Sequence, residues 1–127
     1  MRSRLALPFV AALVCVAAAR YQGGVTADIA VAKSVASGMP VDTASTFGAE
    51  VGSVVCWTRV TGATAGTKVM HVWIHGADTS KVELNVGGSP WRTYSRKTIG
   101  SEAAGDWTVE VLDDKGNKIA SKSFKIG

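Results

Sequence analysis

Apolar and polar positions alternate along most of this chain, and a period of two marks extended strands whose successive side chains face opposite sides. The cleanest case is Lys81 to Val86, where Val82, Leu84 and Val86 point one way and Lys81, Glu83 and Asn85 the other, giving a strand with one wet face. Val51 to Thr61 is dominated by β-branched and aromatic residues and reads as a strand with Val54, Cys56, Thr58 and Val60 on one face and Val55, Trp57 and Arg59 on the other. In Lys68 to His75 the set His71, Trp73 and His75 alternates with Met70, Val72 and Ile74, so both faces carry large groups. From Trp91 to Ile99, the residues Trp91, Thr93, Ser95 and Lys97 alternate with Arg92, Tyr94 and Arg96, whose face is a cationic and aromatic strip. Trp107, Val109 and Val111 alternate with Thr108 and Glu110, and Lys118 to Ile126 closes the chain with Phe124 and Ile126 inward. Ile119 falls out of phase with Phe124, which predicts a bulge between them. Ile29, Val31 and Val35 sit at even spacing and suggest a first strand over Ala27 to Ala36, although the alanines also suit a helix.

Turn signals separate these runs. Gly38 and Pro40 stop the first strand, and Asp42 to Gly48 reads as a connection with Phe47 as an apolar plug. Gly62 to Gly66, Gly76 to Asp78, Gly87 to Pro90, Gly100 to Asp106 and Asp113 to Asn117 follow at intervals of about ten residues. About seven short strands at that spacing, with no convincing helix, predict an all-β fold: an antiparallel, immunoglobulin-like β-sandwich, with an open barrel as the alternative.

The first residues follow another pattern. Arg2 and Arg4 precede an apolar run from Leu5 to Ala19 that ends in three alanines, which reads as a cleavable secretory signal. A membrane anchor is the rival reading, but Pro8 interrupts the run and a span needs about 20 apolar residues. The expected organisation is therefore a signal peptide at 1–19, an N-terminal arm with the first strand at 20–48, and a sandwich core at 49–127. Cleavage removes Cys15 and leaves Cys56 as the sole thiol, so the mature chain has no internal disulfide and depends on packing. It also removes Arg2 and Arg4, lowering the formal charge from +4 to +2. With acidic residues interspersed among the basic ones, that balance carries no signature of nucleic-acid binding.

Four motifs give the chain a family likeness: VCWTRVTG from Val55 to Gly62, HVWIHG from His71 to Gly76, WRTYSRK from Trp91 to Lys97, and GDWTVEV from Gly105 to Val111 with the DDKG turn and Phe124 after it. In these the stretch from Ala27 to the C-terminus resembles the bacterial domain of unknown function 2914. The resemblance implies an extracytoplasmic β-domain, since members are often the outer tails of bacterial membrane proteins or short exported proteins. It brings no catalytic or binding residues. Tyr94 stands where many relatives have tryptophan, a mild departure.

Several residues invite chemistry. Cys56 lies mid-strand among valines, where a thiol behaves as a small buried hydrophobe. His71 and His75 are four residues apart on a strand, about 13 Å between backbones, too far to share one metal. A metal site would have to recruit His71 with Cys56 or with an acid on another strand, and no metal or cofactor is expected. Ser95 and Lys97 raise a Ser-Lys hydrolytic pair, but a strand middle offers neither a nucleophile elbow nor an oxyanion donor, so the chain is expected not to be an enzyme. Of the four tryptophans, at least one is expected near the surface, with Trp73 or Trp91 as the candidates. Arg92, beside Trp91 and on the same face as Tyr94, is expected to be a partly buried anchor, held over Trp73, by the Tyr94 ring or by an acid. The plainer alternative is a solvated face with ion pairs to Glu83 or Glu110.

These readings converge on an exported, non-enzymatic binding or protein-interaction module of the bacterial envelope, periplasmic or secreted. Its candidate binding residues are His71, Trp73, Trp91, Arg92, Tyr94, Ser95 and Lys97, and its partner is an envelope protein, a peptide or a glycan. No stable membrane insertion is expected after cleavage. The alternative is an assembly protein that self-associates by pairing through an open strand edge or the N-terminal arm. The export reading predicts a mature N-terminus at Arg20 or within a few residues of it. Intact-mass measurement on a periplasmic extract checks this, and retention of Met1 refutes it.

Overall fold

The computed structural model describes residues 24–127, so the signal-peptide and membrane-anchor readings lie outside the described residues. Among the described residues nine strands form, all consistent with the predicted class: β1 (Thr26–Ala36), β2 (Met39–Thr43), β3 (Thr46–Phe47), β4 (Ser53–Thr61), β5 (Thr67–His75), β6 (Asp78–Val86), β7 (Trp91–Thr98), β8 (Gly105–Leu112) and β9 (Lys118–Ile126). They make a sandwich of two sheets. Sheet A has the order β2-β1-β4-β7 and sheet B the order β3-β9-β8-β5-β6. All pairings are antiparallel except β3 with β9.

Two strands beyond the expected set come from the segment read as a connection. The first strand does end at Ala36, ahead of Gly38 and Pro40, but Pro40 then sits within β2, an edge strand that tolerates a missing N–H. The turn before it uses Ser37 at φ 54° and Gly38 at φ 76°, the paired positive angles of a tight hairpin turn. Phe47 is indeed a plug, buried in the core, but its two-residue strand β3 also pairs with the end of β9. The stretch 20–48 is therefore no separate arm over its described part: β1 lies in the middle of sheet A, between β2 and β4.

The apolar inward positions assemble as the two-residue period requires. One cluster gathers Val31, Phe47, Val54, Cys56, Trp73, Ile99, Trp107, Val109, Phe124 and Ile126. Phe124 is its centre, edge-on to Phe47 and to Trp73 at 6.1 Å and stacked on Trp107 at 5.8 Å. A second cluster gathers Val60, Val69, Val86 and Val111. The bulge falls at Ile119 itself: Val111 pairs with Ala120 and Leu112 with Lys118, so Ile119 is the extra residue in β9.

The β8–β9 turn is closed by one carboxylate. Asp113 Oδ1 accepts the backbone N–H of Lys115 at 2.9 Å and of Asn117 at 2.8 Å, while Oδ2 accepts the Asn117 side-chain amide at 3.2 Å. Burial pushes the Asp113 carboxyl up, but these hydrogen bonds and the Lys115 charge outweigh it and hold the group below its ordinary value. Its stabilisation is thus present at neutral pH and lost as pH falls through the lowered value. Asp113→Ala should cost about 1–2 kcal/mol in denaturant melts at neutral pH, because two backbone N–H groups lose their acceptor. A loss of a few tenths or less would show that water replaces it.

Candidate functional site

The two apolar clusters do not touch all along the sandwich. On β4 the inward row runs Cys56, Thr58, Val60, and on β5 it runs Val69, His71, Trp73, so a hydroxyl and an imidazole stand between the clusters at the same level. Ser95 meets them from β7. Thr58 and His71 are wholly buried and Ser95 nearly so. Trp73 Nε1 lies 3.1 Å from Ser95 Oγ, Ser95 Oγ 2.6 Å from His71 Nδ1, His71 Nε2 3.3 Å from Thr58 Oγ1, and Thr58 Oγ1 3.5 Å from the Thr93 carbonyl. An indole N–H only donates, so Ser95 accepts there, and the one acceptor within reach of its own hydrogen is His71 Nδ1. That assigns the other imidazole hydrogen to Nε2, which donates to Thr58, and the Thr58 hydroxyl donates to the Thr93 carbonyl. Every donor in the chain has an acceptor, and the chain crosses from sheet B to sheet A twice.

Burial lowers the His71 pKa to about 4, so the imidazole is neutral under ordinary conditions. Burial likewise pushes the Cys56 thiol up to about 12. Cys56 is the buried small hydrophobe its neighbours predict.

The outer face of sheet A is different. The register stacks three cross-strand rows on it: Asp28, Arg59 and Arg92; then Ala30, Trp57 and Tyr94; then Ala32, Val55 and Arg96. The β1–β2 turn folds over part of this face, and Trp57 Nε1 donates to the Gly38 carbonyl at 2.8 Å. Trp57 is buried beneath it, and Val55 and Ala32 in the next row are buried as well. The β7 side stays open, with Tyr94 43% exposed and Arg96 placed over its ring at 5.9 Å. Arg92 is exposed, reaching the Met39 sulfur at 3.1 Å beside Gly38. A groove of about 290 Å³ lies between the turn and Tyr94, with Trp57 and Arg92 on its walls.

The seven candidate residues are therefore not one surface. His71, Trp73 and Ser95 belong to the buried chain, and Trp73, at 1% exposed, is not the surface indole expected of it. Trp91 is, at 39%, with its ring over Gly87. Arg92 and Tyr94 lie on the outer face. Lys97 faces inward and donates to Ser80 on β6 at 3.0 Å, bordering a second cleft of about 370 Å³ at the end of the sandwich together with His75, Asp78, Glu102 and Trp107. His75 stacks flat on Trp107 there at 4.5 Å and meets the Ala104 carbonyl through Nε2 at 2.9 Å.

Arg92 is not the buried anchor expected of it. It lies on the opposite face of the sheet from the core that holds Trp73, and Tyr94 takes Arg96 instead. Nor do the expected acids serve: Glu83 pairs with Lys68 and Glu110 with Lys118. Trp57, Gly38 and Thr58 lie outside the candidate set that the sequence suggests. A hydroxyl between Cys56 and Val60 on an inward row is the one sequence signal that points to Thr58.

The family model described as "Protein of unknown function (DUF2914)" matches residues 66–126. The match spans β5 to β9 and holds the HVWIHG, WRTYSRK and GDWTVEV motifs, and it leaves VCWTRVTG on β4 outside. No curated protein matches the chain.

Between an unfolded value of 6.5 and a folded one of about 4, the unfolded chain binds the extra His71 proton. Stability should therefore fall as pH is lowered through that window, by up to about 3 kcal/mol at about 1.4 kcal/mol per pKa unit. Denaturant melts at stepped pH check this, with His71→Gln expected to be less stable at neutral pH but flatter between pH 6.5 and 4. Parallel profiles for the two proteins would refute it.

Proposed function

We propose that this chain, whose residues 66–126 match a family of unknown function, is an exported, non-enzymatic binding module of the bacterial envelope, working in the periplasm. Its reading surface is the open side of sheet A, formed by Arg92, Tyr94 and Arg96. The partner carries carboxylate or phosphate groups beside an apolar or planar group. One observation carries this reading: among the described residues Arg92 and Arg96 form no ion pair, while Arg59 beside them is paired with Asp28 at 2.7 Å. Arg59 and Arg92 face each other directly across β4 and β7, an arrangement that costs stability between like charges. Arg92 has only a thioether for a partner, a weak acceptor, which leaves most of its N–H donors available to an anion. Tyr94 adds a ring at the same place.

The assembly reading has less beneath it. The described part of the N-terminal segment is built into the sandwich, the β2 edge is short and holds Pro40, and the longer β7 edge would set Arg92 of one copy against Arg96 of the other.

Arg92→Ala and Arg96→Ala should each change stability by no more than about 0.5 kcal/mol, as exposed positions do. On an array of acidic peptides and of carboxylated and phosphorylated oligosaccharides, the purified chain should retain anionic probes in a salt-sensitive way, and Arg92→Glu with Arg96→Glu should abolish retention. Binding that the double variant leaves intact, or no anionic probe retained at all, would overturn the reading.

A further inference from the structure

We infer that the open edge of β7 takes up an extended acidic segment of a partner protein by strand addition, with carboxylates four residues apart against Arg92 and Arg96 and an apolar or aromatic side chain against Tyr94. This rests on the reading of the Arg92, Tyr94 and Arg96 surface given above and names its ligand.

The edge is the first observation. β7 is the last strand of sheet A and pairs with β4 alone, so one side of an eight-residue strand keeps its backbone donors and acceptors unladdered. Such an edge is a template for another strand. The other edges suit this less. β3 has two residues. β2 has five, with Pro40 and with Asp42 at φ 60°, so its edge is neither straight nor fully able to donate. β6 is long enough, but its outer face presents Thr79, Lys81, Glu83 and Asn85, a mixed row in which Glu83 is already paired with Lys68.

Charge complementarity is the second observation. Side chains on one face of a strand recur every second residue, and a strand added beside β7 places its own outer-face residues directly across from Arg92, Tyr94 and Arg96. Arg92 and Arg96 stand about 13 Å apart along the strand, with Tyr94 midway. An incoming strand therefore meets cation, ring, cation in that order, and the matching sequence is acid, apolar, acid at every second position. Arg92 and Arg96 are bidentate donors without an acid among the described residues. The same row argues against a second copy in this place. An antiparallel pairing of two β7 edges centred on Tyr94 would set Arg92 of each chain against Arg96 of the other.

The test is a titration of the purified, isotope-labelled chain with three peptides of one composition, followed by amide shifts and hydrogen exchange. The first carries glutamates at i and i+4 around a central valine, the second carries them at i and i+3, and the third is the first with alternate backbone N-methylation. The first should bind, protect amides of β7 and shift little else. The second and third should bind about tenfold more weakly or worse, the scale of one lost charge-assisted hydrogen bond. Arg92→Ala and Arg96→Ala should each weaken the first peptide and narrow its advantage over the second. Equal affinities for all three, without β7 protection, overturn strand addition and leave only a diffuse anion surface. A concentration-dependent dimer that protects β7 without peptide gives the edge to a second copy and overturns the inference. If neither these peptides nor any anionic oligosaccharide binds, the functional reading fails with it.

Discussion

A sandwich of two sheets is usually held by apolar contact alone, but here one directed hydrogen-bond chain runs through its middle. Trp73, Ser95, His71, Thr58 and the Thr93 carbonyl are linked in that order, and the direction follows from its two ends: an indole nitrogen can only donate and a carbonyl can only accept, so one orientation gives every hydrogen between them an acceptor. The apolar clusters on either side give most of the favourable energy of burial, yet they are non-directional and would tolerate small slips of one sheet over the other. The polar chain does not tolerate them. A slip of β5 against β4 or β7 would leave wholly buried donors and acceptors unpaired, at a cost of about 1–3 kcal/mol each. The belt therefore sets the registration of the two sheets, and the outer-face rows inherit their positions from it.

The strand pattern was legible because the inward rows of β4, β6, β8 and β9 are mostly apolar, and period two needs no knowledge of partners. Even the bulge announced itself, since Ile119 could not share a face with Phe124 without an extra residue. What the pattern hides is which strand covers which. Pro40 and Asp42 look like loop residues, and only the position of β2 at the sheet edge makes them acceptable in a strand. The β1–β2 turn lies over Trp57 through a single bond to Gly38, a contact between residues nineteen apart that no local signal encodes.

The candidate site was legible by halves for the same reason. Alternation places Trp91, Thr93, Ser95 and Lys97 on one side of β7 and Arg92, Tyr94 and Arg96 on the other, but does not say which side is wet. Ser95 faces inward because Trp73 and His71 on β5 supply its partners. Lys97 also faces inward and is tolerated because it lies near the rim, where its stem packs and its head reaches Ser80. The seven candidate residues combined the two sides of one strand, and it is the sandwich, through the other sheet, that separates them.

The turn over Trp57 has a consequence for stoichiometry. By covering the β1 and β4 side of the outer face, it leaves the β7 side open, and a second copy pairing there would set arginine against arginine. On the proposed reading, each molecule would offer one docking place on this face. A module with one such place would not cross-link its partner and would gain no avidity from its own fold. Tight retention on a surface would have to come from the partner's density or from tethering of the reader itself, where a modest contact is multiplied by effective concentration.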